Sequence, residues 1–194
     1  MLNEKLKKYT LVLASRSPRR MKLLQETGIP FRLDIPHDIV ERYPDGLDKF
    51  QIPIYLAEMK SKAFGEIPDN EILITADTIV WFNNRVISKP VDAQDAYKIL
   101  TSLSGNMHEV ITGVCLRKNS QTRTFYAHSE VYFSKLKPEE IIHYIETCKP
   151  YDKAGGYGIQ EWIGYIGIEK INGSYFNVMG LPVQKLYREL EVFI

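Results

Sequence analysis

The stretch Ile72-Leu73-Ile74-Thr75-Ala76-Asp77-Thr78-Ile79-Val80 constrains the fold of this chain more than any other. It lies within Glu71 to Phe82, an apolar run that reads as a buried strand. An ionised carboxylate inside such a strand is expensive unless it is paired or holds a metal. Asp77 therefore predicts a site where the strand turns polar; the other reading is a strand end with Asp77 in a turn.

Strands and helices mix along the rest of the chain. Tyr9 to Ala14 reads as a buried strand, and Ser17-Pro18 opens a helix with Ser as N-cap and Pro at the first helical position. Leu23 and Leu24 face the core and Gly28 ends the helix. Phe31 to Ile35 alternates as a strand, and Pro36 to Asp48 is turn-rich. A helix follows from Pro53 to Phe64, with Leu56, Met59, Lys60 and Ala63 at helical spacing. Asn83-Asn84 suits a hairpin turn, because Asn tolerates positive φ. Asp92 to Leu103 reads as an amphipathic helix. Val110 to Leu116 and Thr124 to Phe133 read as strands paired through Lys118 to Gln121. Pro138 to Glu146 is helical, Lys149 to Gly164 a Gly-rich loop, Tyr165 to Glu169 a strand, and Pro182 to Leu190 a closing helix. The alternation predicts an α/β or α+β fold.

At 194 residues the chain suits one domain, or one domain with two lobes. A net charge of +1 supplies neither a basic nucleic-acid surface nor an acidic tail. Cys115 and Cys148 are too few for a disulfide scaffold and read as buried thiols in a reducing compartment. There is no apolar run of the roughly 20 residues a membrane span needs, and the start, MLNEKLKKYT, lacks a secretion signal's apolar stretch. These features predict a cytoplasmic protein.

Three further constellations carry chemistry. Ser15-Arg16-Ser17-Pro18-Arg19-Arg20 sits where a buried strand passes into a helix, and helix N-termini attract anions. Ser15 and Ser17 hydroxyls with the Arg19 and Arg20 guanidinium groups would complete a phosphate cradle. A capped helix with two solvated arginines fits the same spacing. Tyr151-Asp152-Lys153-Ala154-Gly155-Gly156-Tyr157-Gly158-Ile159-Gln160 lets backbone approach a ligand, with Lys153 for phosphate and Gln160 as donor and acceptor. Asn172-Gly173-Ser174-Tyr175-Phe176-Asn177-Val178-Met179-Gly180-Leu181-Pro182 is a second Gly-rich stretch. Either could be a plain loop, and neither fits the Walker or dinucleotide fingerprint. Lys89, before Pro90, adds a cation. His37, His108, His128 and His143 show no metal-ligand spacing, and His128 and His143 read as surface groups.

Taken together, LASRSPRR (Leu13 to Arg20), LAEMK (Leu56 to Lys60), ADT (Ala76 to Thr78), Lys89-Pro90, SGNMHEVITGV (Ser104 to Val114), DKAGGYGIQ and NGSYFNVMGLP resemble the Maf family of nucleoside-triphosphate pyrophosphatases. The segments occur in the family's order and span nearly the whole chain. The resemblance implies a mixed α/β fold related to the inosine-triphosphate pyrophosphatases. That fold has an elongated sheet with flanking helices, two lobes around a nucleotide cleft, and often a homodimer. It implies hydrolysis at the α-phosphorus with Mg²⁺ or Mn²⁺.

By position, Asp77 is implied as catalytic base or metal ligand. Ser15, Arg19, Arg20, Lys60, Lys89 and Lys153 are implied as phosphate or catalytic contacts. Arg19, Thr78 and Gln160 resemble the specificity positions of the branch acting on dTTP and UTP, which GYGIQ matches better than the sister branch acting on 7-methyl-GTP. Two departures stand out. Where the family often carries an Asp-Glu pair, this chain has Val40-Glu41, leaving Glu41 as the second expected metal ligand. Where a Glu often precedes the DKAG loop, this chain has Lys149-Pro150. The rival readings are a 7-methyl-GTP or broader nucleotide pyrophosphatase, and a non-catalytic regulator of cell division. The retained Asp77, Lys60 and Lys89 favour an enzyme.

Overall fold

The computed structural model describes residues 2–35 and 39–194. In chain order the elements are α1 (Leu2–Leu6), β1 (Thr10–Ala14), α2 (Pro18–Gln25), β2 (Phe31–Asp34), α3 (Gln51–Lys62), β3 (Glu71–Phe82), β4 (Arg85–Ile87) and α4 (Ala93–Leu103). They continue as β5 (Met107–Lys118), β6 (Gln121–Phe133), α5 (Pro138–Cys148), α6 (Trp162–Gly167), β7 (Ile168–Asn172), α7 (Tyr175–Met179) and α8 (Val183–Phe193). A seven-stranded mixed sheet runs β2-β1-β3-β5-β6-β7, with β4 paired to β3. The expected mixed α/β sheet with flanking helices is therefore present. Among the described residues no helix is long and apolar enough to cross a membrane.

The chain forms two compact units. The first takes residues up to Asp77, Thr112–Ala127 and Gly180–Ile194; the second takes Thr78–Ile111 and His128–Met179. In the first, β1 lies parallel to β2 and to β3, with Val12 opposite Leu73 and Leu13 opposite Ile74. Strands covered on both faces read as continuous apolar runs, as Leu11–Ala14 and Ile72–Ala76 do, all of them buried. In the second unit, Leu100, Leu103, Val110, Val131, Phe133, Tyr144 and Ile163 pack into one core.

The local signals that held have visible causes. Ser17 Oγ accepts from Arg20 N at 3.4 Å, and Pro18 opens α2. Asp92 Oδ1 accepts from Asp95 N at 2.8 Å and caps α4. Asn83 and Asn84 sit at φ 51° and 57° between β3 and β4, the left-handed pair that a tight hairpin needs.

Several boundaries moved. The polar start folds as α1, which buries Leu2 and Leu6 four residues apart. Helix α3 begins at Gln51 and ends at Lys62, and β2 stops at Asp34. Strands β5 and β6 are longer than expected and turn at Asn119, φ 53°. The Gly-rich stretches are more ordered than loops. Ala154–Gly156 makes a 3₁₀ turn, Trp162–Gly167 replaces the expected strand start with α6, and Tyr175–Met179 forms α7. Gly164 does not break α6: a Cβ there would lie 1.8 Å from Ile159 O, so this glycine serves a close approach between backbones. Cys115 is buried as expected, whereas Cys148 is only half-buried; both are free.

Two features of the first unit hold α3 on the sheet. Thr75 Oγ1 donates to Ala57 O at 2.7 Å. Gly113 of β5 lets Pro53 approach, because a Cβ there would lie 2.3 Å from Pro53 C and 2.4 Å from Ile54 N.

Candidate active site

Side chains two apart on a strand share a face, and those three apart on a helix share a side. Thr75 and Asp77 are such a strand pair, and Ala57 and Lys60 such a helix pair. The Thr75–Ala57 bond thus sets the register that brings Lys60 to Asp77. Lys60 Nζ donates to Asp77 Oδ1 at 2.5 Å and lies 2.8 Å from Glu41 Oε1. One ammonium therefore bridges two carboxylates, with Asp77 buried and Glu41 exposed.

Burial pushes the Asp77 carboxyl above the usual carboxylate range, while Lys60 and then Arg20 pull it back. The strand puts a carboxylate where water is scarce, and neighbouring cations make its ionised form tolerable. Arg20 is half-buried, and desolvation lowers its pKa from the ordinary arginine value, with Asp77 opposing that shift. Its Nε donates to Gly180 O at 2.7 Å and its Nη1 to Ala76 O at 2.9 Å. Arg20 thus braces the backbone beside Asp77, a role the spacing of the arginine pair did not reveal. Ser15 is buried, and its Oγ accepts from Ser17 N at 3.1 Å, which tightens the turn into α2. Arg19 is half-buried on the first turn of α2. So the first unit gathers Asp77, Lys60, Glu41 and Arg20. His37 and Asp38 lie outside the described residues.

The second unit carries Thr78, Lys89, Lys153 and Gln160. Thr78 is half-buried on β3, and Lys89 is exposed before Pro90. Lys153 is buried, and its Nζ lies 2.6 Å from Asp152 Oδ1 and 3.1 Å from Glu161 Oε1. An acid thus follows the loop at Glu161, a position outside the motifs of the sequence, although Lys149-Pro150 precedes it. Gln160 is half-buried, and its Oε1 is shielded from solvent with no hydrogen-bond partner among the described residues. Gly155 and Gly156 sit at φ 71° and 69°, where the backbone passes closely over Val80 and Pro90.

His108, which the spacing did not mark, is buried, with Nε2 2.7 Å from the Tyr157 hydroxyl. Burial pushes its pKa down to about 4, so it is neutral at physiological pH. His143 is exposed as expected, while His128 is half-buried and pairs with Glu109 at 2.7 Å.

Among the described residues no group of three or more His, Cys, Asp or Glu is disposed to hold a metal. Asp77 and Glu41 nonetheless direct an oxygen each at one cation position, which the Lys60 ammonium takes. Two hard oxygen donors suit a divalent ion that keeps most of its shell as water and phosphate oxygen.

Residues 10–193 match the family model described as Maf-like protein. The sequence is 54% identical, over 98% of this chain and 99% of the other, to a dTTP/UTP pyrophosphatase of Parabacteroides distasonis. It is 50% identical, over 98% and 97%, to one of Porphyromonas gingivalis. It is 47% identical, over 100% of both chains, to one of Flavobacterium johnsoniae. Among solved structures, the Staphylococcus aureus Ham1 protein is similar at 13% identity and a TM-score of 0.46, over 64% of this chain and 71% of that one. So loose a likeness adds nothing to the mixed α/β assignment. With the ordered motifs, the family match and relatives of about half identity all spanning nearly its whole length, this chain belongs to the Maf family.

Proposed function

We propose that this chain is a nucleoside-triphosphate pyrophosphatase that hydrolyses dTTP and UTP to the monophosphate and pyrophosphate. The observation that carries the reading is the buried Asp77 carboxylate held between Lys60 and Arg20, with Glu41 on the same ammonium. The relatives named dTTP/UTP pyrophosphatase support the substrate.

A triphosphate carries several negative charges, and attack on phosphorus spreads more over its oxygens. Catalysis is then chiefly positioning and electrostatic stabilisation. In this proposal Arg19, Ser15, Lys89 and Lys153 bind phosphate oxygens, and Arg20 braces the backbone that carries Asp77. Asp77 orients the attacking water and takes its proton. A base whose pKa lies above that of a surface aspartate is the stronger for it, and Lys60 keeps it ionised. Mg²⁺ or Mn²⁺, held through Asp77 and Glu41, would neutralise charge on the phosphate oxygens.

Thr78 and Gln160 are proposed to read the base. Uracil and thymine offer an N3–H donor beside carbonyl acceptors, and the Gln160 Oε1, which has no partner among the described residues, can accept a hydrogen bond from that N–H. Cytosine presents an acceptor at N3, which would face the same oxygen. A missing buried hydrogen bond costs about 1–3 kcal/mol, or roughly tenfold to a hundredfold in preference. We further propose a single two-lobed domain over residues 1–194, a cytoplasmic setting, and a homodimer.

The test is pyrophosphate release from dTTP, UTP, CTP and 7-methyl-GTP with Mg²⁺ or Mn²⁺. The expected result favours dTTP and UTP. Hydrolysis in oxygen-18 water should label the monophosphate. Label in orthophosphate, with a nucleoside diphosphate as co-product, refutes the bond assignment; equal turnover of 7-methyl-GTP refutes the base assignment.

A further inference from the structure

The glycine loop of the second unit carries two proposed substrate contacts, Lys153 and Gln160, and neither is held by a regular element. What joins them is Glu161, which shares the Lys153 ammonium with the solvent-exposed Asp152 carboxylate and reaches the loop backbone through a hydrogen bond. Its Oε1 lies 3.1 Å from Lys153 Nζ, and its Oε2 accepts from the Tyr144 hydroxyl. The Tyr144 oxygen in turn accepts from Gly158 N at 3.0 Å. Tyr144 is fully buried, from α5, and burial with the Glu161 carboxylate pushes its hydroxyl pKa up, so it stays a donor.

Two details separate this arrangement from an incidental ion pair. Glu161 stands at the N-cap of α6 yet makes no side-chain capping bond; its carboxylate is committed to the loop. The bare Gly158 also leaves room for that carboxylate, which a side chain there would push aside. A Cβ there would lie 2.8 Å from the Glu161 carboxyl carbon, 2.9 Å from its Oε2 and 3.1 Å from Gln160 Nε2. The carboxylate and the Gln160 amide thus converge on one glycine. The side chain of Lys153 is 9% exposed and that of Glu161 23%, so solvent screens the pair only weakly.

We propose that Glu161 is a positioning residue of the substrate site, which sets the Lys153 ammonium directly and the Gly158–Gln160 backbone through Tyr144. The inference rests on the proposed nucleotide reading. It adds that the phosphate contact and the base contact of this loop are tuned by one carboxylate. Moving that carboxylate changes both contacts, while losing Lys153 alone changes only the first.

The experiment is a double-mutant cycle on the full chain with Mg²⁺. Wild type, Lys153→Met, Glu161→Gln and the double variant are compared for kcat, KM and melting temperature with dTTP, and for preference of dTTP over dCTP. Glu161→Gln should fold and melt within a few degrees of wild type. Its kcat/KM for dTTP should fall on the order of tenfold, the effect of misplacing one charged contact. In the Lys153→Met background the same change should cost less in dTTP turnover than it does in wild type, the remaining loss appearing as a lower preference for dTTP over dCTP. Tyr144→Phe, which frees Gly158 N–H, should lower the preference for dTTP over dCTP on the order of tenfold. Full additivity of the Lys153 and Glu161 effects, or Glu161→Gln within twofold of wild type, overturns the proposal. If wild type releases no pyrophosphate from dTTP, the functional reading fails first. The cycle is then read as dTTP affinity by calorimetry, where additive losses again overturn the role of Glu161.

Discussion

Asp77 and Lys60 illustrate how a residue acquires chemistry from its place. Asp77 would be an unremarkable carboxylate at a surface; on β3 it is buried, and its pKa rises. A group whose folded pKa is raised adds stability below its unfolded pKa, and that stability is lost as pH rises through the folded value. Ionised Asp77 therefore adds less stability at neutral pH than its protonated form does at low pH, and Asp77→Asn, which leaves Lys60 paired with Glu41, should stay folded at pH 8. The amide cannot take a proton from water and binds a hard cation poorly, so kcat should fall on the order of 10²–10⁴. Paired melting curves and turnover measurements check both halves. A well-folded Asn variant within a few-fold of wild-type kcat removes Asp77 from the chemistry and turns attention to Glu41.

Among elements, β3 and the glycine loop show what could be read from sequence and what could not. The apolar run with one acid marked β3, and Asn83-Asn84 marked its hairpin, because periodicity and turn chemistry are local. The Ser17-Pro18 start of α2 was legible for the same reason. Glu161, Tyr144 and His108 were not, because their meaning depends on partners distant in sequence: Tyr144 is 17 residues from Glu161, and His108 is 49 from Tyr157. Gly164 was misleading, since a glycine that permits close packing looks in sequence like one that belongs to a loop. The burial of His108 also makes the second unit acid-sensitive. With its folded pKa near 4, below the ordinary 6.5, His108 contributes stability that is present above about pH 6.5 and lost as pH falls through 4. The loss amounts to about 3 kcal/mol across that interval. Urea unfolding from pH 7 to 4 should show it. His108→Gln, which can still meet the Tyr157 hydroxyl but does not titrate, should flatten that part of the profile; an unchanged slope assigns the acid lability elsewhere.

For the molecule as a whole, the Lys60 ammonium separates folding from the proposed metal binding. Because it already lies between Asp77 and Glu41, the two carboxylates do not confront each other without a metal. Chelation should then abolish pyrophosphate release while the melting temperature falls by no more than a few degrees, and added Mg²⁺ should restore turnover without a refolding step. Loss of cooperative melting in chelator would show that the metal is structural. The same register depends on a position with no functional group. A methyl at Gly113 would have to displace the Pro53 backbone, and α3 would carry Lys60 away from Asp77. Gly113→Ala should therefore cost about 1–3 kcal/mol of stability as overpacking and depress turnover as well. In a saturation-mutagenesis screen scored on turnover, Gly113 would rank with Asp77, so such a map would chart intolerance to change, of which chemistry is one cause and backbone proximity another.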